Sequence, residues 1–244
     1  VLFRCIQVEQ KKLRKSYLWF VFLLIPCIPA IMGTFNYLQS LETLKSEWYS
    51  LWTQHTLFYS SFFYAPLIAV YCSYLWRLEH LNQNWNFVMT VPVPRFCLFL
   101  AKFSMVFFMT ILTQIWVGIL FYMSGKFAGL SGTVPIEIWT WILRGSIAGT
   151  VIILLQLYLS MIIRSFSVPV VISLIGSIVG LVINSMGIGF AWPYSLLLIG
   201  MNANRENEML GNRNYIFILS CLIFCVMIIG ISMFRLKKKD IKTS

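Results

Sequence analysis

Six apolar stretches, each close to the length of a bilayer crossing, constrain this chain more than anything else in it: Leu18–Phe35, Thr56–Trp76, Phe96–Met123, Ile138–Ile163, Val168–Ile183 and Asn214–Phe234. A helix needs about 20 apolar residues to cross a hydrocarbon core, and the fifth stretch is short by that measure. The core offers a free backbone amide no partner, so each run is expected as a helix. Pro26 and Pro29 should bend the first and Pro66 the second, with neighbouring helices pairing the carbonyls they release. Composition agrees: 59% of residues are hydrophobic and 11% charged, where a soluble domain carries about 25% charge. The net charge of +11 does not indicate nucleic acid, because the basic residues gather where apolar runs end. The six cysteines form no C-x-x-C pair, and Cys27, Cys72, Cys221 and Cys225 fall inside apolar runs, as small buried hydrophobes do. No signal-peptide cleavage pattern follows the first run. With Val1 rather than Met at its head, the chain is expected to begin slightly inside the native protein.

Between the second and third runs lies Arg77–Phe96, RLEHLNQNWNFVMTVPVPRF, too polar to cross and charged only at Arg77, Glu79 and Arg95. At 100° per residue, Leu78, Leu81, Trp85, Val88 and Met89 share one side of a helix. Glu79, His80, Asn82, Gln83, Asn84 and Asn86 lie off it. Pro92 and Pro94 then turn the chain. The spacing predicts a short amphipathic helix at the membrane face, offering a neutral polar side to another protein. Residues 1–17 repeat the pattern with more charge. Leu2, Phe3, Ile6, Leu13 and Tyr17 fall on one side, and Arg4, Lys11, Lys12, Arg14 and Lys15 lie mostly opposite, Lys12 nearest the edge. Such a segment suits an anionic cytoplasmic surface or a cytoplasmic partner. Lys102, near the start of the third run, is expected to snorkel back to the surface. With both termini inside, fourteen of the nineteen Lys and Arg residues fall on the cytoplasmic side, tail included. That asymmetry places Arg77–Phe96 in the cytoplasm.

On the other side, Asn184–Asn204 is apolar but broken by Gly187, Gly189 and Pro193, which predicts a re-entrant or interfacial hairpin. Ser173, Gly176, Ser177 and Gly180 put small residues on one side of the fifth run. That pattern serves either a seam with a second subunit or a tight contact inside this one. Arg144, at the start of the fourth run, is expected as an interfacial anchor. No P-loop motif, H-E-x-x-H or G-x-S-x-G occurs, and the only histidines are His55 and His80. These absences leave no catalytic residue and no metal site to name. No Asp or Glu lies inside the apolar cores, which disfavours ion-coupled transport. Uphill movement would then draw its energy from a partner.

Together these residues resemble a known family. A basic amphipathic helix with Glu9 runs into a proline-containing span. R-x-E-H with N-x-N-W follows, then P-V-P-R and a lysine (Arg77, Glu79, His80, Asn82, Asn84, Trp85, Pro92, Pro94, Arg95, Lys102), and W-P-Y-S comes after the short fifth span. Nearly the whole chain is similar to the permease subunits of type 2 ABC exporters, specifically those of lantibiotic immunity and antimicrobial-peptide resistance. The resemblance implies an all-α polytopic membrane protein, one permease domain over residues 1–244, in a bacterial cell membrane. Its parts would be six transmembrane helices, an N-terminal amphipathic helix (1–17), a cytoplasmic coupling helix (77–96) and the external segment 184–204. It implies no cofactor in this chain, ATP and Mg being bound by two copies of a separate cytoplasmic ATPase. A second permease, homologous or identical, would complete the transporter, and a lantibiotic-like peptide would be the cargo. Glu79 would pair with a basic residue of the ATPase, with Arg77, or cap its own helix. The same architecture also serves a permease for a lipid, drug or cell-wall precursor, or a non-transporting scaffold or sensor.

Overall fold

The protein is described here from a computed structural model, over residues 1–14, 16–81 and 93–238, with side chains to residue 236. The described residues are largely helical, with no strand, and each of the six apolar runs lies in a helical segment long enough to cross a membrane. An N-terminal helix, Leu2–Arg14, precedes them.

Span 1 is two pieces, Leu18–Leu24 and Cys27–Gln39, divided at Pro26. At the break the Leu23 carbonyl accepts the Trp116 indole N–H of the third span at 3.1 Å, so a neighbour supplies what the kink leaves open. Span 2 covers Glu47–His80 and begins well ahead of the expected Thr56. Hydropathy alone stops short there because Ser50, Thr53, Gln54 and His55 are polar yet buried. Each has a partner: Asn36 donates to Gln54 at 2.5 Å, Thr34 meets His55 at 3.0 Å, and Thr53 donates to the Ser50 carbonyl at 2.7 Å. A π-turn, Tyr59–Phe63, sits just ahead of Pro66, whose missing N–H would leave an α-ladder carbonyl unpaired.

Span 3 is Arg95–Phe127, span 4 Ile136–Ile162, span 5 Ser167–Ser185, and span 6 Gly211–Leu236. Spans 2 and 4 form the centre, 67% of the most apolar stretch of each being buried against 28% for span 5 and 22% for span 6. Trp52, Trp76, Trp141, Tyr64, Tyr71 and Phe121 fill that centre. Spans 2 and 3, at 34 and 33 residues, are about 50 Å long. That exceeds a hydrocarbon core of about 30 Å.

Between spans 5 and 6 the chain forms a 3-10 turn, Gly189–Ala191, and a short helix, Ser195–Gly200. Every residue of that helix is buried, among spans 2, 4, 5 and 6. Trp52 closes over its end, donating to the Met201 carbonyl at 2.9 Å. The following loop is wound on the buried Asn202. Its amide donates to the Arg205 and Asn207 carbonyls at 3.1 and 3.0 Å, and it accepts from the Met209 N–H at 2.8 Å. Asn202 and Asn204 both have positive φ, a conformation asparagine tolerates better than most residues.

Candidate functional site: a buried ion quartet

The N-terminal helix docks on span 3 through a stripe formed by Leu2, Ile6 and Leu13, and Glu9 lies in that stripe where an apolar residue would be expected. Glu9 is therefore buried, 4% exposed, and the ion that answers it is Lys102 of span 3, 2% exposed. Lys102 does not snorkel. Its ammonium donates to Glu9 Oε1 at 3.1 Å, to Glu79 Oε1 at 2.9 Å and to the Leu75 carbonyl at 3.2 Å, and lies 5.2 Å from the Trp76 ring centroid. Lys12 closes the figure, at 2.9 Å from Glu9 Oε1 and 2.6 Å from Glu79 Oε1. Two carboxylates and two ammonium groups balance to zero formal charge. Burying any one alone would cost several kcal/mol. Burial by itself would lower the Lys12 pKa, but the facing Glu9 and Glu79 outweigh it and hold Lys12 above its usual value. The two carboxylates thus hold Lys12 in its charged form. The quartet joins three elements: the N-terminal helix, the end of span 2 from which residues 81–94 depart, and the start of span 3.

Of the residues expected to couple to a partner, the described ones differ in exposure and in what they contact. Arg77 is exposed, its guanidinium 5.7 Å from the Phe166 ring centroid. Glu79 is turned inward, 2% exposed, and meets Lys12 and Lys102 of its own chain. His80 Nε2 donates to the Ser160 carbonyl of span 4 at 3.1 Å. Arg77–His80 are the last turn of span 2 rather than the start of a separate helix. Asn82, Asn84, Trp85 and Pro92 lie outside the described residues. Pro94 precedes the first residue of span 3, Arg95, which is exposed and donates to the Leu236 carbonyl of span 6.

Ser173, Gly176, Ser177 and Gly180 are all buried, and inside this chain. A Cβ added at Gly176 would come within 2.5 Å of the Tyr194 ring. The Trp192 indole donates to the Gly176 carbonyl at 2.9 Å and Ser195 to the Gly180 carbonyl at 3.1 Å. Within this chain these small residues make a close contact with residues 192–195. At the same end of the bundle as the Asn202 loop, Arg144 is held in a two-point ion pair by Glu208, at 2.8 and 3.1 Å. Trp141 adds a third bond to Glu208 at 2.7 Å. Burial alone would raise the Glu208 pKa, but its bonds from Arg144, Trp141 and the Leu210 N–H bring it below its usual value. Among the described residues, no three His, Cys, Asp or Glu side chains gather as metal ligands would.

The quartet as a unit escapes pairwise sequence inspection, since Glu9 and Lys102 are 93 positions apart. One signal was present: Glu9 interrupts an apolar stripe that Lys12 borders.

No curated protein and no solved structure matches the chain. The model of the ABC-2 family transporter proteins matches residues 5–180, covering the N-terminal helix, the first four spans and most of the fifth. That stretch contains all four members of the quartet, and it exceeds half the chain. The protein belongs to the ABC-2 family of transporter proteins, as a multi-pass membrane permease of an ABC transporter.

Proposed function

We propose that this chain is the permease of an ATP-driven exporter that clears a lantibiotic or similar antimicrobial peptide from the cell membrane, giving immunity or resistance. A cytoplasmic ATPase, present in two copies, would bind ATP and Mg, and a second permease would complete the transporter. Residues 77–96 would carry the ATPase's movement into the membrane. The observation that supports this most is the quartet. It ties the N-terminal helix and both roots of the 81–94 segment into one charge-neutral knot, so a push on that segment moves span 2, span 3 and the N-terminal helix together. Glu79 acts here as a positioning residue within the knot, and contact with the ATPase falls to Arg77, Arg95 and the polar residues between them. An interior rich in aromatic rings and poor in carboxylates suits an apolar, often cationic peptide.

The test is purification in mild detergent, with mass spectrometry and ATPase assay of what copurifies. A P-loop ATPase is expected with the wild type and lost with Asn84→Arg, a change outside the quartet. Cells carrying the pair should survive a lantibiotic that kills cells carrying Asn84→Arg. A well-folded protein with no ATPase attached overturns the coupling proposal. An intact complex that leaves peptide sensitivity unchanged overturns the cargo.

A further inference from the structure

At the ends of spans 1 and 3 away from the quartet, a groove of about 460 Å³ opens on the flank of the bundle. Ile31, Phe35 and Leu38 form one wall and Met123, Ser124 and Phe127 the other, and no charged side chain lines it. Along span 1 it runs from Cys27 to Leu38, about 16 Å at the rise of an α-helix. A hydrocarbon core is about 30 Å thick, so the groove has the reach of one leaflet. Its rim is continuous with the apolar belt that the spans turn to the bilayer. Ile31, Phe35, Met123 and Phe127 are exposed, and Ile28, Met32, Ile115 and Ile119 extend the same surface.

We propose that this groove seats one hydrocarbon chain of a membrane lipid. The walls decide against a peptide. Both walls are helical, Cys27–Gln39 and the end of Arg95–Phe127, so most of their backbone groups are engaged in helix bonds. The Thr34 hydroxyl at the floor is engaged too, donating to the Ala30 carbonyl at 2.7 Å and meeting His55 Nε2 at 3.0 Å. The Cys27 thiol is directed to the Leu23 carbonyl at 3.1 Å. A peptide lying there would bury its own amides with almost nothing to pair them, which an apolar environment penalises heavily. A hydrocarbon chain brings no polar group and gains from every apolar surface it covers.

The protein reconstituted in vesicles of phosphatidylcholine bearing a diazirine on one acyl chain tests this. After irradiation and digestion, label is expected to concentrate on residues 27–38 and 120–127. Ser124→Trp, which fills the groove from its span 3 wall, should reduce that label to the background of the remaining lipid-facing helices, while Ile223→Trp on span 6 leaves it unchanged. Native mass spectrometry should find a single phospholipid retained by the wild type and lost from Ser124→Trp. Met123→Trp, on the exposed rim, serves if Ser124→Trp does not fold. Label spread evenly over all lipid-facing helices overturns the proposal, as does a filling variant that keeps the wild-type pattern. Labelling of the groove by a diazirine-bearing apolar peptide, with none from the lipid, overturns it in favour of a peptide site.

Discussion

An ammonium group taken out of water is stable in a protein only where opposite charge and hydrogen-bond acceptors surround it. Lys102 meets that condition through two carboxylates and a backbone carbonyl, and the carboxylates in turn depend on it. Lys102→Met leaves Glu9 and Glu79 with Lys12 alone, and removing one partner of a buried ion pair costs about 3–5 kcal/mol. The expected outcome is a clear fall in the thermal unfolding midpoint in detergent. Adding Glu9→Gln restores neutrality and should recover part of the loss. An unchanged midpoint for the single variant would show that the quartet contributes nothing to folding. The Arg144–Glu208 pair works at smaller scale, its carboxylate side chain being 34% exposed. Screening there limits the contribution to about 1 kcal/mol or less. Because the folded pKa of Glu208 lies below its usual 4.5, that contribution is present above the usual value and lost as the pH falls through the lowered one. Glu208→Gln should therefore melt earlier than wild type at neutral pH, and the two should converge in acid, once the pH has fallen through that lowered pKa. A gap that persists in acid would assign the stabilisation to something other than the ion pair.

Among the elements, spans 1 and 2 cross backbone to backbone at Gly33. A Cβ placed at Gly33 would come within 2.8 Å of the His55 backbone N and Cα, atoms that no side-chain rotation can move aside. Gly33→Ala should push the spans apart at the cost typical of overpacking, about 1–3 kcal/mol, and loosen the Thr34–His55 contact beside it. Gly230→Ala, where an added methyl meets nothing, is the matching control and should be neutral or mildly stabilising. Equal midpoints for the two variants would contradict the close crossing. The same crossing marks what the sequence could and could not reveal. The six helices were legible because length and apolarity suffice to specify a membrane span. The start of span 2 was not, because Gln54 and His55 count as polar until Asn36 and Thr34 are seen beside them. The inward burial of Ser195–Gly200 depends on the small face of span 5, whose partner Tyr194 is not apparent from spacing alone. Lys102 looked like a surface anchor for the same reason. Its residue type carries no mark of the two glutamates, which come from elsewhere in the chain.

At the scale of the whole molecule, contacts sort the chain into two ends. One holds the quartet, the Arg77–Phe166 and His80–Ser160 contacts and the Arg95 bond to Leu236. The other holds the Ser46–Glu206 bond, the Trp48 bond to the Ser131 carbonyl and the Glu208 ion pair. Basic residues are concentrated toward the first end, and loops rich in Lys and Arg stay on the cytoplasmic side. The quartet end is therefore expected inside the cell, with both termini on that side because the span number is even. Single cysteines in a background without the six native ones check this. A membrane-impermeant maleimide added to intact cells should label Ser131→Cys at once and Lys11→Cys only after permeabilisation, both positions being exposed. The reverse pattern would put residues 77–96 outside the cell, where no ATPase could reach them. It would remove coupling as the purpose of the quartet while leaving its effect on stability intact. Because labelling reads orientation and unfolding reads the ion network, the reverse labelling pattern together with a lowered midpoint for Lys102→Met would leave a knot that only holds three helices together.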